Sequence, residues 1–595
     1  MATTRDVLAM LSELVTLTTI DEGSPQSFKT RAYENARLGI EADGRDVTEL
    51  SVTELTKIKG VGKATATKVR ELVDTGTVAK LEALRATYPP PFVELSRVPG
   101  VGPKTLHLLR DHLGIADVEG LKAAIDAEQL RTLPGLGETT ERKIAKAIER
   151  LGLSGKDRRT PIADALPLAR RLVADLADLP AVADVAYCGS LRRMSETIGD
   201  IDITVASDEP AAVTAAVVAH GEVSEVVLSG DTKTSFLTHK GLQVDVRVVA
   251  PAQFGAATLY FTGSKAHNVA LRQRALARGM LLNEYGLFDV GDEDVAVEDR
   301  PVVASRTEEE IYDALGMAYV APPLREATGE VEAAAASPTG EGPGLPDLIR
   351  LEHVRGDLHY HTDRSGDGRS SVADMVQVAA DRGYEYLAIT DHGVDLAING
   401  STAAEMLEHR DVIRRVQDDH PDMQVLWGCE LNIGAKGGLD YDPDFRASFE
   451  YTVASVHSHF DLPQRDQTKR LIAAISDPTV TSIGHLTGRY IGRRPGIELD
   501  IDVVIEALHH FDVALEVNGA LDRLDAASDV VRKAVDRGVK LVINTDSHHT
   551  SELGRMEYGV LTAQRGWCPH DQVVNTWPRE QFLEWIAART ARTPA

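Results

Sequence analysis

Cysteine is scarce in this 595-residue sequence, and Cys188, Cys429 and Cys568 form no C-x-x-C pair. This absence argues against a disulfide framework and against a thiolate zinc site. The N-terminus lacks the apolar core of a signal peptide, and no apolar run approaches the roughly 18 residues that a membrane span needs. These absences predict a protein of the reducing cytoplasm with no membrane partner.

A basic excess is missing as well. The net charge is −27, with 64 Lys and Arg residues against 91 Asp and Glu residues. A broad positive surface of the kind that binds nucleic acid nonspecifically is therefore excluded. Residues 1–152 are nevertheless near neutral, with 21 basic and 22 acidic side chains. The acidic excess lies in the later parts of the chain, where carboxylates could hold divalent cations.

The chain is too long for one hydrophobic core, so several domains are expected. Residues 1 to about 152 have the pattern of short helices joined by glycine-containing turns. Residues 160–320 alternate helical and strand-like segments, and a second α/β region runs to the end. Between them, residues 326–346 are rich in Ala, Gly, Pro and Glu without an apolar period, which predicts a linker.

One pattern occurs three times in the first part: an apolar residue, a Gly-x-Gly turn and a helical stretch. The glycine pairs are Gly60 and Gly62, Gly100 and Gly102, and Gly135 and Gly137. Glycine permits a tight turn, and the helix that follows offers N–H groups to a phosphate oxygen. Ordinary helix packing explains a single turn equally well, but three copies favour DNA-backbone binding without sequence readout. The pattern resembles the helix-hairpin-helix motif.

Three aspartates in the middle part are spaced as in a two-metal site. Asp200 and Asp202 alternate along one strand and share a face, and Asp245 lies on a second alternating strand. Such carboxylates repel each other unless divalent cations lie between them. Two Mg²⁺ or Mn²⁺ ions there could activate a primer 3′-hydroxyl and neutralise the leaving pyrophosphate. For the D-x-D pair alone, exposed acids on an edge strand are the alternative.

A glycine-containing loop precedes the acid pair. Gly189 and Ser190 follow the strand-like stretch Val185–Cys188 and could hold a triphosphate through backbone N–H groups and a hydroxyl. Arg193 would add positive charge to the same loop. The loop and the acids together indicate a nucleotidyltransferase that uses deoxynucleoside triphosphates.

With these motifs, residues 1 to about 320 resemble the family X DNA polymerases, the group of polymerase beta. The resemblance implies an N-terminal helical domain (1–88), fingers (89–152), a nucleotidyltransferase palm (153–252) and a thumb (253–325), followed by the linker (326–346). It also implies that a nucleotide pocket includes Tyr260, Phe261, Gly263, Asn268 and Arg272. Gapped or primer-template DNA would be the substrate, and a monomer associated with the nucleoid is expected.

Some family members remove 5′-deoxyribose phosphate through a lysine Schiff base. Lys68 lies at the position of that nucleophile, and Lys29 and Tyr33 also match the family, whereas Ala64 replaces a further lysine. A Schiff-base lysine needs a lowered pKa, which the sequence pattern does not reveal. Lyase activity at Lys68 is therefore an open expectation.

The last 250 residues repeat an apolar strand, an ionisable residue at its end and a helix, which predicts a parallel barrel with its chemistry at the C-terminal strand ends. The candidate metal ligands are His359, His361, Asp367, His392, Glu430, His457, His485, Asp546 and His548. A single histidine at a strand end is usually a satisfied polar residue, but ligands at most of the strand ends favour a metal centre. Because one ion takes about four to six ligands, this set predicts two or three Mn²⁺, Zn²⁺ or Fe ions, with Glu430 bridging.

Residues 347–595 resemble the PHP (polymerase and histidinol phosphatase) domain. In family X polymerases this resemblance implies Mn-dependent 3′–5′ exonuclease activity and cleavage at abasic sites. Arg489 and Arg493, after His485, could bind phosphate or belong to a solvated loop, and His409 is expected at the surface or behind the ligands.

The expected fold is multidomain α/β and α+β, with helix-hairpin-helix domains, a palm and thumb, and a (β/α)7 PHP barrel. The expected function is gap filling in base excision repair, with trimming of DNA. Three alternatives remain open: a small-molecule phosphatase in the PHP half, a repair nuclease or lyase with weak polymerase activity, and a DNA-end scaffold without catalysis.

Overall fold

The computed structural model describes residues 3–43, 45–98, 100–151, 159–290, 300–335, 344–396 and 400–590. No helix among them combines the length and the apolar character that crossing a bilayer requires. The chain forms two compact units, Met1–Arg159 with Gly492–Pro495, and Thr160–Ile491 with Gly496–Ala595.

The described residues within 3–151 of the first unit form helices joined by turns. Its helices are α1 (Thr4–Asp21), α2 (Phe28–Asp43), α3 (Val52–Leu55), α4 (Lys63–Thr75), α5 (Ala79–Thr87), α6 (Pro90–Glu94), α7 (Pro103–Leu113), α8 (Val118–Asp126) and α9 (Glu138–Leu151). The apolar residues at helical spacing, among them Leu11, Leu14 and Val69, form one buried core. Helices α4, α7 and α9 are the three that the Gly-x-Gly pattern predicts.

The predicted palm begins the second unit. Its elements are β1 (Thr160–Pro161), α10 (Ile162–Ala177), β2 (Asp184–Tyr187), α11 (Gly189–Arg192), β3 (Thr197–Ile198), β4 (Asp200–Ala206), α12 (Pro210–Val218), β5 (Val223–Ser229), β6 (Lys233–Thr238) and β7 (Gln243–Val249). Five strands form one mixed sheet in the order β2-β4-β7-β6-β5, in which β4 and β7 run parallel. Alternation along these strands buries Ile201, Ile203 and Val244 in the core and turns the acids to the other face.

The thumb follows with α13 (Phe254–Thr262), α14 (Lys265–Ala277), β8 (Met280–Asn283), β9 (Gly286–Asp289), β10 (Val302–Ala304), α15 (Glu308–Ala314) and α16 (Glu330–Ala334). The last helix corrects the start of the predicted linker 326–346, because Val331 and Ala334 are buried in the thumb core. Glu330 is fully buried and accepts a hydrogen bond from His267 Nδ1 at 2.7 Å. The alanine- and glutamate-rich composition here belongs to a short packed helix, and residues 336–343 lie outside the described residues.

The barrel comprises β11 (Gly356–Tyr360), α17 (Val372–Asp381), β12 (Tyr386–Ile389), α18 (Ala403–Asp419), β13 (Gln424–Asn432), α19 (Pro443–Arg446), β14 (Tyr451–Ser455), α20 (Gln464–Ile475), β15 (Ser482–Ile483), α21 (Ile501–Phe511), β16 (Ala514–Asn518), α22 (Ser528–Arg537), β17 (Leu541–Asn544), α23 (Met556–Arg565) and α24 (Arg579–Thr590). Strands β11 to β17 form a parallel sheet in sequence order. Tyr360 pairs with Ser547, just after β17, so the barrel is nearly closed and the predicted (β/α)7 architecture is confirmed.

Helix α24 covers the interior at the N-terminal ends of the strands. Phe582 stacks on Tyr386 with ring centroids 4.2 Å apart, and Ile586 joins the same buried cluster. The amide of Asn575 donates to the carbonyls of Gly356 and Ile543 at 2.8 and 2.6 Å. Because these side chains fill the N-terminal end, the barrel is open at the C-terminal ends of its strands.

Candidate active sites

The palm acids lie on adjacent strands. Asp202 on β4 is paired in register with Asp245 on β7. Asp200 lies two residues before Asp202, so both side chains are on the same face of β4. Burial, followed by the charges of Asp200 and Asp245, raises the pKa of Asp202 to about 7. A carboxylate whose pKa is raised by two neighbouring carboxylates belongs to a site that divalent cations would stabilise.

Lys233 is a part of this site that the sequence analysis missed. Its Nζ atom lies 2.7 Å from Asp245 Oδ2, and Gln243 Nε2 donates to Asp245 Oδ1 at 3.0 Å. Burial alone would raise the pKa of Asp245, but the hydrogen bond from Lys233 and its neighbours lower it. Asp245 is thus held ionised beside Asp202. The sequence around Lys233 does not mark it as a site residue. Its position on β6 does, because it lies two residues from Ser235, which is paired with Asp245.

Gly189 contacts the acids directly. A Cβ atom on Gly189 would lie 2.4 Å from Asp202 Oδ2, and its φ of +65° belongs to the left-handed region that favours glycine. Gly189 and Ser190 begin the short helix α11, and the amide of Cys188 donates to the carbonyl of Asp202 at 2.7 Å. The backbone of the predicted triphosphate loop is therefore placed against the acid strand.

The predicted nucleotide-pocket residues lie on the thumb side of the same sheet. Arg247, two residues after Asp245, places its guanidinium 4.4 Å from the centroid of the Phe261 ring. Tyr260 meets Phe261 edge to face, and Asn268 Nδ2 donates to the carbonyl of Tyr260 at 2.7 Å. One turn further along α14, Arg272 Nε donates to the carbonyl of Asn268 at 3.3 Å. Gly263, after α13, has a φ of +65°.

Arg193 has one backbone and one side-chain partner in this structure. Its Nη1 atom donates to the carbonyl of Thr262 at 2.6 Å, and its Nε atom donates to Glu326 at 2.9 Å. Its neighbour Arg192 pairs with the buried acid Glu308 at 2.7 Å. The sequence analysis found Arg193 but neither acid, since both lie more than a hundred residues later in the chain.

The three hairpin turns have the backbone that their glycines predict. Gly60, Gly100 and Gly135 have φ values of +88°, +90° and +79°. Gly62 and Gly102 are the N-caps of α4 and α7, and neither helix start is capped by a side chain. Gly137 likewise immediately precedes α9. Uncapped helix starts after such turns leave N–H groups for an anion.

Lys68 on α4 has an aromatic neighbour. Its Nζ atom lies 5.7 Å from the centroid of the Tyr33 ring and donates to the carbonyl of Ala64 at 3.3 Å. Lys29 instead pairs with Glu22 at 2.6 Å, and this hydrogen bond raises the pKa of Lys29. A raised pKa makes Lys29 unsuitable as an amine nucleophile.

All of the predicted barrel ligands meet at the C-terminal ends of the strands. Three groups have ligand atoms within 4.8 Å of one another: His361, Asp367, His392 and His548; His359, His361 and Asp546; and His392, Glu430 and His457. His485 joins them through Nε2, which lies 2.9 Å from Glu430 Oε1. Shared members link the groups into one cluster.

Glu430 lies at the centre of this cluster. Its two oxygens lie 2.8 to 3.5 Å from ring nitrogens of the five histidines His359, His361, His392, His457 and His485. Burial alone would raise the pKa of Glu430, but the neighbouring histidines, first His457, lower it well below its usual range. An ionised carboxylate among so many imidazoles is the geometry expected of a bridging ligand.

Several buried polar atoms of the cluster lack a hydrogen-bond partner, which suits them to bind metal ions. Buried nitrogen or oxygen atoms without a hydrogen-bond partner include His359 Nε2, His361 Nε2, His392 Nδ1 and Glu430 Oε2. Buried polar atoms are nearly always satisfied, so several orphans pointing to one place indicate a bound species. Two ligands, His485 and Asp546, also have positive φ, at 20° and 52°. Such strain is common at functional sites.

A second layer of polar side chains orients the ligands, and the sequence analysis considered only His409 among its members. Glu516 Oε2 accepts from His359 Nδ1 at 2.7 Å, and Asn432 Oδ1 accepts from His457 Nδ1 at 2.7 Å. His409 belongs to this layer, because it is buried and its Nε2 atom lies 2.7 Å from Asp391. Partners of this kind fix the ring orientation and tautomer of metal-binding histidines.

Arg489, for which the sequence predicted either phosphate binding or a solvated loop, is paired with an acid in this structure. It forms a two-bond ion pair with Glu196 of the palm, at 2.7 and 3.0 Å. Another arginine, Arg523, lies beside the ligands, with its Nε atom 3.7 Å from Asp546 Oδ2. Arg523 stacks on Tyr490 at 4.3 Å.

Four family models match the chain: a helix-hairpin-helix domain at residues 3–78, a SAM-like helix-hairpin-helix tandem at 92–150, the DNA polymerase beta thumb at 257–326 and the PHP domain at 357–546. Among curated proteins, the DNA polymerase/3′-5′ exonuclease PolX of Bacillus subtilis is 35% identical over 575 residues, 96% of this chain and 97% of that protein. The chain belongs to the bacterial family X DNA polymerases. Membership in this family brings DNA binding and a dependence on divalent metal ions.

Other relatives resemble the PHP part alone. A probable phosphatase of Acetivibrio thermocellus is 29% identical over 244 residues, 40% of this chain and 96% of that protein. A probable phosphatase of Proteus mirabilis is 30% identical over 241 residues, 39% of this chain and 94% of that protein. These relatives consist of little more than the barrel, so the palm and the hairpins distinguish this family X chain from them.

Proposed function

We propose that this chain is a DNA-directed DNA polymerase that fills short gaps in base excision repair and trims DNA as a metal-dependent 3′–5′ exonuclease. One observation supports the proposal: the second compact unit contains two separate clusters of side chains that could hold metal ions. One is the aspartate face of the palm sheet, and the other is the ring of ligands at the open end of the barrel.

In the palm, Asp200, Asp202 and Asp245 would hold two Mg²⁺ or Mn²⁺ ions, which activate the primer 3′-hydroxyl and neutralise the leaving pyrophosphate. The backbone of Gly189 and Ser190 would bind the triphosphate of a deoxynucleotide, with charge from Arg193. The remaining pocket residues would contact its sugar and base: Tyr260, Phe261, Gly263, Asn268 and Arg272. Support comes from the contact between Gly189 and Asp202 and from the stacking of Arg247 on Phe261.

In the barrel, the nine ligands would hold two or three Mn²⁺, Zn²⁺ or Fe ions, which supply a hydroxide near neutral pH. Glu430 would bridge the ions, and Glu516 and Asn432 would fix the histidine rings. The DNA phosphodiester would be cut from the 3′ end, with cleavage at abasic sites as a second reaction. Metal analysis of the purified protein, followed by titration with each metal, tests which ions support cutting.

The hairpin glycines of the first unit would bind the backbone of gapped or primer-template DNA, with the protein acting as a monomer at the nucleoid. Lys68 would form the Schiff base in a lyase reaction on 5′-deoxyribose phosphate. Borohydride trapping on a 5′-deoxyribose phosphate substrate tests the lyase. Trapping that persists in Lys68→Ala would exclude Lys68.

The two-site proposal is tested by two single substitutions in the full-length protein. Asp200→Ala should abolish nucleotide incorporation and leave 3′–5′ trimming, whereas His359→Ala should do the reverse. Both activities are measured on the same gapped duplex with Mn²⁺, with folding checked by thermal unfolding. Loss of both activities in either variant, with the fold intact, would contradict two independent sites.

The similarity of the barrel to probable phosphatases favours one second candidate, a small-molecule phosphatase in the PHP half. It predicts that a small phosphate monoester such as histidinol phosphate is hydrolysed faster than DNA is trimmed. We place it second because the same chain carries helix-hairpin-helix motifs. These motifs would bind DNA, which is the substrate of a nuclease and not of a small-molecule phosphatase.

A further inference from the structure

The carboxylate of Glu326 joins an arginine of the palm to an arginine of the barrel. Its Oε1 atom accepts a hydrogen bond from Arg193 Nε at 2.9 Å and another from Arg565 Nη1 at 2.6 Å. Arg565 Nη1 also donates to the backbone carbonyl of Arg193 at 2.8 Å. The barrel therefore contacts Arg193 in two ways, through its carbonyl and through the acid that pairs with its side chain.

This group carries more positive than negative charge. Two arginines share one carboxylate, and their side chains are only 13% and 22% exposed, with Glu326 at 26%. Burial alone would raise the pKa of Glu326, but the charges of Arg565 and Arg193 lower it, so the acid remains ionised. Glu326 can neutralise one arginine fully or two arginines in part.

Arg193 connects the two segments proposed to bind the nucleotide. It follows the Gly189–Ser190 backbone, and its Nη1 atom donates to the carbonyl of Thr262 at 2.6 Å. The position of a Cβ atom on Gly263 would lie 3.4 Å from the same Nη1 atom. A change in the orientation of Arg193 would therefore alter the nucleotide site on both sides.

We propose that Arg565, the last residue of α23 in the PHP barrel, is a positioning residue for nucleotide binding in the polymerase reaction. This inference rests on the proposed role of Arg193 in binding the triphosphate. By sharing Glu326, Arg565 keeps that carboxylate from neutralising Arg193 alone and leaves guanidinium charge for the phosphates. By holding the Arg193 carbonyl, it also fixes the backbone that follows the triphosphate loop.

Steady-state kinetics of single-nucleotide incorporation by the full-length protein tests the proposal. Arg565→Ala should raise the KM for the deoxynucleotide about tenfold and change kcat less than about twofold, as loss of a binding interaction does. Arg565→Lys should stay close to the parent, because one ammonium can reach both oxygens. The double variant Arg565→Ala with Glu326→Gln should recover most of the lost affinity, because a neutral amide no longer neutralises Arg193.

The controls separate positioning from stability. Arg537→Ala, which removes a barrel arginine paired with Glu506, should leave incorporation unchanged. Exonuclease rate and thermal unfolding should be the same in Arg565→Ala as in the parent. An unchanged KM in Arg565→Ala overturns the inference. So does an equal loss of both activities that Glu326→Gln does not rescue, because that result means a structural role.

A further variant distinguishes failure of this inference from failure of the proposed function. Arg193→Ala should raise the KM for the deoxynucleotide at least as much as Arg565→Ala does. If it does not, the triphosphate role of Arg193 is wrong and the inference falls with it. The polymerase proposal itself would then still be judged by Asp200→Ala.

Discussion

Arg489 Nη2 lies 2.7 Å from Glu196 Oε1, so an ion pair joins the barrel to the segment that leads into the palm acids. The junction is apolar as well, because Leu524 of the barrel is fully buried in the palm core. The residue before it, Arg523, reaches Asp546 in the metal cluster. The two proposed active sites are thus distinct in their residues but share a packed junction. Substitutions within one site should therefore affect one activity.

Gly189→Ala should abolish nucleotide incorporation without affecting the nuclease. The new methyl group would lie 2.4 Å from Asp202 Oδ2, and the φ of +65° disfavours any residue with a Cβ atom. The acid must move to relieve the clash, and displaced metal ligands cost catalysis steeply. Incorporation and trimming assays on the same DNA measure both effects.

A nearby glycine is the matched control. Gly199 directly precedes the acid strand, but its Cβ position has no atom within 4 Å and its φ is not positive. Gly199→Ala should therefore keep most of the polymerase activity. Equal inactivation of the two variants would mean that the segment, and not the contact with Asp202, is sensitive.

The two glycines of the first hairpin should respond differently to alanine. Gly60→Ala should destabilise the first unit, because its Cβ atom would lie 2.4 Å from the carbonyl oxygen of Asn35 and its φ is +88°. Gly62→Ala has room for the methyl group and should leave the fold unchanged. It should nevertheless weaken DNA binding by about threefold or more, because the methyl group lies where a phosphate would approach the start of α4. Thermal unfolding and DNA titration at fixed salt measure the two effects, and intact DNA affinity in Gly62→Ala would contradict phosphate binding at this turn.

Glu516→Gln should weaken metal binding in the barrel by roughly 10- to 100-fold, the usual effect of losing an outer-shell partner of a histidine ligand. Glu516 holds His359 Nδ1 at 2.7 Å and is itself fully buried. Burial alone would lower the pKa of His359, but the carboxylates around it, first Glu516, raise it well above its usual range. Metal content after dialysis measures the loss, and excess Mn²⁺ should restore trimming. Unchanged metal retention would show that His359 does not need this partner.

Much of the architecture could be predicted because its signals are local. Alternation along β4 puts Asp200 and Asp202 on one face, and the repeat of strand and helix predicts the barrel and its ligand-bearing ends. Gly-x-Gly turns likewise mark the starts of α4, α7 and α9. Each of these features is determined by spacing along a single strand, a single turn or a regularly repeated unit.

The side chains that the sequence analysis missed contact residues that are not their neighbours in the chain. Lys233, Glu308 and Glu516 have ordinary sequence neighbours, and only the fold brings them to Asp245, Arg192 and His359. The start of the predicted linker was misplaced for the same reason. Composition around residues 326–335 is that of a linker, but the partner that buries Glu330 is His267, 63 residues earlier.

Glu308 should make the palm and thumb sensitive to acid. It is 6% exposed and accepts hydrogen bonds from Arg192 and Arg325, at 2.7 Å each for the closest pairs. Burial alone would raise the pKa of Glu308, but Arg325 and Arg192 lower it from 4.5 to about 2. A folded-state pKa below the unfolded value means that the stabilisation is complete above pH 4.5 and is lost as the pH falls toward 2.

Glu308→Gln tests this pH dependence. At pH 7 it should destabilise the second unit by about 3 kcal/mol, because the charge is removed and the guanidinium groups of buried Arg325 and partly buried Arg192 lose their acid. The difference from the parent should shrink as the pH falls from 4.5 toward 2, since protonation removes the same charge from the parent. The neighbouring exposed acid provides the control. Glu309→Gln should change the thermal midpoint little, both at pH 7 and at low pH. Thermal midpoints measured across this range give the comparison. A difference that stays constant with pH would mean that Glu308 stabilises the fold by its shape and not by its charge.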